Sequence, residues 1–240
     1  MPGLFHPALH PVFETLAYAG GFQAYRYAKR RQGDFLQETQ RWNVIAAAIV
    51  GAVVGSRVLG LLEQWPLLAA MSWKQMLFGS GGKTIVGGLL GGWLAVELVK
   101  WLSGIRQRTG DLFALPLCLG IAIGRIGCFL AGLADDTYGK ATSLPWGVDF
   151  GDGVRRHPTQ LYEIVFLLVL AAVIVRVSRK PHAQGVLFRI FLAGYLTWRF
   201  AIDFIKPQPL LHGLNAIQWA CVGGLCFCLL DALFFARRRI

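Results

Sequence analysis

Apolar residues in this sequence fall into long, nearly unbroken runs separated by short polar, mostly basic segments. The runs are Pro11–Ala28, Asn43–Leu62, Thr84–Leu102, Leu112–Ala134, Gln160–Val177, Gly185–Ile205 and Asn215–Ala236. Neither the alternation of a half-buried strand nor the one-sided stripe of a surface helix accounts for runs this long. At 1.5 Å per residue, about twenty helical residues cross the roughly 30 Å of bilayer hydrocarbon. The pattern predicts an all-α integral membrane protein with seven transmembrane helices. The first run is the most polar-spotted, and its basic cluster, Arg26 to Arg31, follows the apolar stretch, unlike a cleavable signal. No repeat, low-complexity tract or linker interrupts the series, so residues 1–240 read as one polytopic membrane domain.

Composition agrees with the pattern. Of 240 residues 55% are hydrophobic and 15% charged, against about 25% charged in an ordinary soluble domain. The net charge of +11 suggests nucleic acid until the placement of the charges is considered. Seven spans with the N-terminus outside put thirteen of the 24 Lys and Arg residues in inside segments and six in outside loops. That bias sets the N-terminus outside and the C-terminus inside, and anionic lipid is the natural partner of the basic surface; nucleic acid is not expected. The five cysteines all lie in apolar runs and lack zinc-type spacing, and the histidines form no HExxH pattern, so no metal is expected. Gly51/Gly55, Gly87/Gly91, Gly88/Gly92 and Gly120/Gly124 are GxxxG pairs that let helix backbones approach closely.

Arg125 lies within the fourth run. A charge at that depth costs roughly 2.5–3.5 kcal/mol even on the mild translocon scale, so it is kept where water, an anion or a carboxylate meets it. The predicted orientation places Arg57, Arg125 and Arg199 in the outer halves of spans two, four and six. Glu14, Tyr18, Gly87, Gly88 and Glu163 fall in the outer halves of the others, with His157 at the mouth. Tyr195 and Asp203 flank Arg199 at a spacing of four, on one helix face. Any single pair of these charges reads as a structural ion pair fixing register. Convergence of several at one depth reads as a cavity for an anion, since guanidinium forks match phosphate, here at headgroup depth. Lys83, at the outer end of the third span, is placed to snorkel to headgroups. Cys128, one turn from Arg125, reads as a space filler or as an acceptor-side nucleophile.

Five ordered motifs in these stretches resemble those of the prolipoprotein diacylglyceryl transferases of bacterial inner membranes. Gly81-Gly82-Lys83-Thr84-Ile85-Val86-Gly87-Gly88-Leu89-Leu90-Gly91 is similar to the family's GG-x-x-x-H-GGLLG, and Gly124-Arg125-Ile126-Gly127-Cys128-Phe129 to its GRxGNF. The loop Gly139 to Val148 echoes the family's, His157-Pro158-Thr159-Gln160-Leu161-Tyr162-Glu163 nearly repeats HPSQLYE, and Gly194-Tyr195, Arg199 and Asp203 follow its GY…R…E ending. The resemblance implies a multi-pass enzyme of the bacterial inner membrane. It would transfer the diacylglyceryl group of phosphatidylglycerol to the lipobox cysteine thiol of a prolipoprotein, releasing glycerol phosphate without a cofactor. Carried over by position, Arg125 and Arg199 would hold the phosphate, Glu163 and Asp203 would orient them, and His157, Gln160 and Tyr162 would line the mouth. Gly87 and Gly88 would admit the glycerol backbone.

The departures cluster on the acceptor side. Val86 stands where the family has its glycine-segment histidine, a proposed base, and Cys128 where it has asparagine. Phe13 and Glu14 replace an aromatic pair, although Tyr18 fits the next tyrosine, and Ala131 and Leu133 lie near a missing asparagine and acid. Valine neither accepts a proton nor polarises a thiol. His157 or Glu14 then serves as base, or the acceptor differs, or catalysis is lost. The alternatives to a transferase are a non-catalytic lipid-binding scaffold and an anionic-lipid transporter; paired broken helices, the usual mark of the last, are absent from the sequence pattern.

Overall fold

The computed structural model describes residues 5–78 and 83–237; Gly81, Gly82, Arg238 and Arg239 lie outside them. Each of the seven apolar runs coincides with a helix. The helices are α1 (Leu9–Gln32), α2 (Glu38–Glu63), a short α3 (Trp73–Phe78), α4 (Ile85–Leu102), α5 (Asp111–Ala131), α6 (Thr159–Ser178), α7 (Val186–Ile202) and α8 (Ala216–Arg237). A 3-10 turn at Trp65–Ala70 and α3 add local structure between α2 and α4 that the hydrophobic pattern did not announce. The only strands among the described residues are the two-residue β1 (Val148–Asp149) and β2 (Arg155–Arg156), an antiparallel hairpin.

Five helices among the described residues, α2, α4, α5, α6 and α8, are long and apolar enough to cross a membrane. Only 22–33% of each span is buried within the chain. The remainder exposes Val50, Val53, Val54 and Val58 on α2, Leu94, Leu98 and Trp101 on α4, and Val165, Leu168 and Val169 on α6. Contiguous apolar faces of that size are not tolerated in water, whereas hydrocarbon solvates them and the helices satisfy their own backbones. The chain is a multi-pass membrane protein.

Two compact units divide the chain: residues 1–34, 108–195 and 204–207 form the first, and residues 35–107, 196–203 and 208–240 the second. In the first, α5 packs against α1 and α6. Glycine sets the α1–α5 distance: a Cβ on Gly127 would stand 2.6 Å from Phe13 Cβ, and one on Gly20 would stand 2.9 Å from Ile123 Cδ1. His6 N donates to Leu130 O at 2.7 Å, tying the start of the chain to the end of α5. At the other end Asp111 caps α7, accepting from Gly185 N at 2.6 Å and Phe188 N at 3.0 Å.

In the second unit α2 and α4 cross backbone to backbone, with α8 packed on both. A Cβ on Gly87 would land on Gly55 O, and one on Gly91 would stand 2.8 Å from Gly55 Cα. This is the contact the GxxxG pairs predict. Trp93 on α4 meets Phe227 on α8 edge to face, ring centroids 4.7 Å apart.

Candidate functional site

The first unit gathers its polar side chains at one end, where α5 finishes, α6 begins and α1 starts. Arg125 on α5 is 6% exposed and Glu163 on α6 1% exposed. Arg125 Nε lies 3.0 Å from Glu163 Oε2, so the guanidinium and the carboxylate form a buried ion pair. Glu163 Oε1 accepts from Tyr195 Oη at 2.6 Å. The carboxylate is thus held on one oxygen by a hydroxyl and turns the other to the guanidinium. Arg125 NH1 reaches Cys128 Sγ at 3.7 Å, one turn along α5. The sequence motifs placed Arg125 and Glu163 in one site; Tyr195, noted there for its spacing to Arg199 and its place in the GY motif, holds the glutamate through its hydroxyl.

The loop between α5 and α6 closes over this end. Thr159 Oγ1 donates to Thr137 O at 2.5 Å, and Gln160 Nε2 donates to Thr137 Oγ1 at 3.2 Å. Gln160 is 1% exposed, and its Oε1 has no hydrogen-bond partner among the described residues. Tyr162 Oη accepts from Trp146 Nε1 at 2.8 Å and lies 3.3 Å from His157 Nδ1, a half-buried group at the rim. The hairpin is pinned by Arg155, which donates to Gly147 O at 3.1 Å and Pro145 O at 2.6 Å. Arg156 grips Asp152 through both oxygens at 2.7 Å, and this hydrogen bonding pulls the Asp152 carboxyl down to about 2. Tyr18, 72% exposed on α1, donates to Glu14 Oε1 at 3.2 Å.

A second cluster in this unit had no sequence signature. Asp135 Oδ1, in the 3-10 turn after α5 (Gly132–Asp135), is 3.3 Å from His10 Nδ1 on α1. With Cys128 Sγ they place three potential ligand atoms, nitrogen, sulfur and oxygen, within 4.8 Å of one another, the one such group among the described residues.

In the second unit Arg199 NH2 is 3.0 Å from Asp203 Oδ1, and both residues are buried. Asn215 Nδ2 approaches Asp203 Oδ2 at 3.5 Å. Asn215 also starts α8 through a reciprocal cap, its Oδ1 accepting from Gln218 N at 2.7 Å and its N donating to Gln218 Oε1 at 2.9 Å. Gln218 Nε2 donates to Phe200 O at 3.1 Å, joining α8 to the end of α7. The Asn-x-x-Gln spacing is a cap signal readable in the sequence.

The other expected site residues have local roles. Arg57 donates from Nε to Met76 O at 2.8 Å and from NH2 to Gln75 O at 2.9 Å, capping α3. Gly87 serves the α2–α4 crossing, while a Cβ on Gly88 would meet nothing nearer than 3.6 Å. Thr84 caps α4 by accepting from Gly87 N at 3.1 Å, with exposed Lys83 just before it. Val86 is buried at 1% exposure, and a proton acceptor is absent from its side chain.

These features define a class: multi-pass helical membrane proteins with a buried arginine clamped by a carboxylate at the end of an otherwise apolar span. The family model for prolipoprotein diacylglyceryl transferase matches residues 12–235. A phosphatidylglycerol–prolipoprotein diacylglyceryl transferase of Geobacter sulfurreducens is 34% identical over 207 residues, covering 84% of this chain and 78% of the relative. Proteins of the same name from Solidesulfovibrio magneticus and Nitratidesulfovibrio vulgaris are 34% and 33% identical, each covering 92% of this chain and 90% of the relative. The chain belongs to the prolipoprotein diacylglyceryl transferase family.

Proposed function

We propose that this protein transfers the diacylglyceryl group of phosphatidylglycerol to the lipobox cysteine thiol of a prolipoprotein and releases glycerol phosphate. The protein would act as one polytopic domain of the bacterial inner membrane, with seven spans, a periplasmic N-terminus and a cytoplasmic C-terminus. The family relationship across nearly the whole chain and the basic-residue bias support that reading.

The observation that carries the reaction is Arg125, buried and aligned by Glu163, which Tyr195 aligns in turn. In this transfer a thiolate sulfur forms a bond to the terminal glycerol carbon as the carbon–oxygen bond to phosphate breaks. The phosphodiester, with one negative charge, leaves as a monoester carrying a second. A fixed guanidinium in a low-dielectric site stabilises that added charge without reorganising, which is where such an interaction lowers a barrier most. The resemblance gives Arg199, tied to Asp203, a phosphate-binding role as well. Gln160 offers a buried carbonyl oxygen to a glycerol hydroxyl, and His157, Tyr162 and Trp146 form a rim for the incoming peptide.

The test is to incubate the purified protein with phosphatidylglycerol vesicles and a lipobox peptide and to follow soluble glycerol phosphate and peptide mass together. Equimolar glycerol phosphate and diacylglyceryl-peptide are expected. Neither product, with correctly folded protein, would leave the lipid-binding scaffold as the better reading.

A further inference from the structure

We propose that His10, Cys128 and Asp135 form a zinc site that activates the acceptor thiol, a task for which Val86 offers no base; this rests on the transferase reading above. Three elements bring the ligands together: α1 carries His10, α5 carries Cys128 and the 3-10 turn carries Asp135. The approach of α1 depends on Gly127, where a Cβ would stand 3.4 Å from His10 O and 3.5 Å from His10 Cα. Zinc takes nitrogen and oxygen at about 2.0–2.1 Å and sulfur at about 2.3 Å, so tetrahedral geometry separates a nitrogen–oxygen pair by about 3.3 Å. His10 Nδ1 and Asp135 Oδ1 are already 3.3 Å apart. All three ligand atoms lie within 4.8 Å, so closure onto an ion asks only for small movement of the cysteine.

The donor set is specific. One imidazole, one thiolate and one carboxylate suit a borderline-soft divalent ion, and three protein ligands leave a fourth position open, as in catalytic zinc sites. The His10 side chain is 40% exposed, which leaves that position approachable, whereas the Asp135 side chain is 8% exposed. Asp135 has a supporting partner of the kind metal ligands require: Thr137 Oγ1 donates to its Oδ2 at 2.5 Å, and Gln160 holds Thr137. Charge also balances: thiolate and carboxylate neutralise a divalent ion, and an added substrate thiolate leaves one negative charge beside Arg125, whose NH1 is 3.7 Å from Cys128 Sγ.

The step follows. The acceptor thiol loses its proton to solvent on taking the open position, since zinc deprotonates a coordinating thiol at neutral pH. The sulfur's electron pair then forms the carbon–sulfur bond, and the breaking carbon–oxygen pair stays on the phosphate held at Arg125.

The experiment measures metal content and cobalt spectra on the full chain in detergent, apart from turnover. About one zinc per chain is expected, lost in Cys128→Ser and Asp135→Asn, with binding weakened about 10- to 100-fold in Thr137→Val. Cobalt substitution should give a thiolate charge-transfer band that Cys128→Ser lacks and that a lipobox peptide intensifies. Arg125→Ala should keep the metal and lose transfer. Zinc that binds without transfer by any preparation would leave the site standing and sink the transferase reading. Undiminished transfer by zinc-free protein, or cobalt bound without a thiolate band in the unmodified chain, overturns the zinc proposal alone.

Discussion

Tyr195 holds Glu163 and Glu163 in turn holds Arg125, and each link predicts a distinct loss. Arg125→Ala should abolish glycerol phosphate release while membrane insertion and expression stay unchanged. Arg125→Lys should fare little better, because an ammonium offers no planar fork to a phosphate. Tyr195→Phe removes a hydrogen bond to a charged group, worth about 1.5–3 kcal/mol. Transfer should fall by roughly 10- to 150-fold in turnover, with the protein folded as judged by its melting temperature. Equal turnover in Tyr195→Phe would show that Glu163 needs no orienting hydroxyl. Sequence alone pointed to Arg125 and Glu163, because a charge in an apolar run has few reasons to be there. His10 and Asp135 gave no such signal, since histidine and aspartate near a span end are ordinary, and Tyr195 stood out for Arg199 and the GY motif, not for Glu163. Their roles arise from side chains meeting across elements remote in sequence, which periodicity does not encode.

Helices were the most legible feature, since apolar runs of twenty residues leave little choice of structure. What escaped was short: the 3-10 turn at Trp65–Ala70 and the six-residue α3 have too few residues to show a period. The glycine pairs announced close helix approach correctly, but not which helices would meet. In the second unit Gly51, Gly55, Gly87 and Gly91 build the α2–α4 crossing. Gly91→Leu should force the two backbones apart, costing about 1–3 kcal/mol as overpacking, and lower the melting temperature in detergent. Gly88→Ala, facing ordinary van der Waals space, should leave the melting temperature within error of the parent chain. Asn215→Ala removes the cap of α8 and should cost about 1 kcal/mol. At the hairpin, a depressed carboxyl stabilises the folded form above its ordinary value of 3.8, and that contribution is lost as pH falls towards about 2. Hydrogen exchange at Val154 and Arg156 should therefore stay protected at mildly acidic pH and accelerate only near the lower value, whereas Asp152→Asn should exchange faster at neutral pH.

At the scale of the whole molecule, function depends on which face of the membrane receives the polar end of the first unit. On the proposed reading a secreted lipobox cysteine arrives from the periplasmic side, so the α5–α6 loop is expected to open there. The basic residues argue for that arrangement: the turn between α6 and α7 carries Arg179 and Lys180, and Arg176 lies in the last turn of α6. Cytoplasmic placement is what the positive-inside bias assigns to such a cluster. The hairpin also holds Arg155 and Arg156, but Asp149 and Asp152 stand beside them, and Arg156 is bound to Asp152. Helix α6 runs 20 residues from one loop to the other, about 30 Å and enough to separate them across the hydrocarbon. In intact spheroplasts an impermeant maleimide should label Val154→Cys, whose parent side chain is exposed in the hairpin, and should label Lys180→Cys only after the membrane is opened. The parent chain supplies the background from its own cysteines. The reverse pattern would put the Arg125 site on the cytoplasmic face, where no translocated lipobox cysteine arrives, and would end the case for a prolipoprotein acceptor whatever the chemistry of the site.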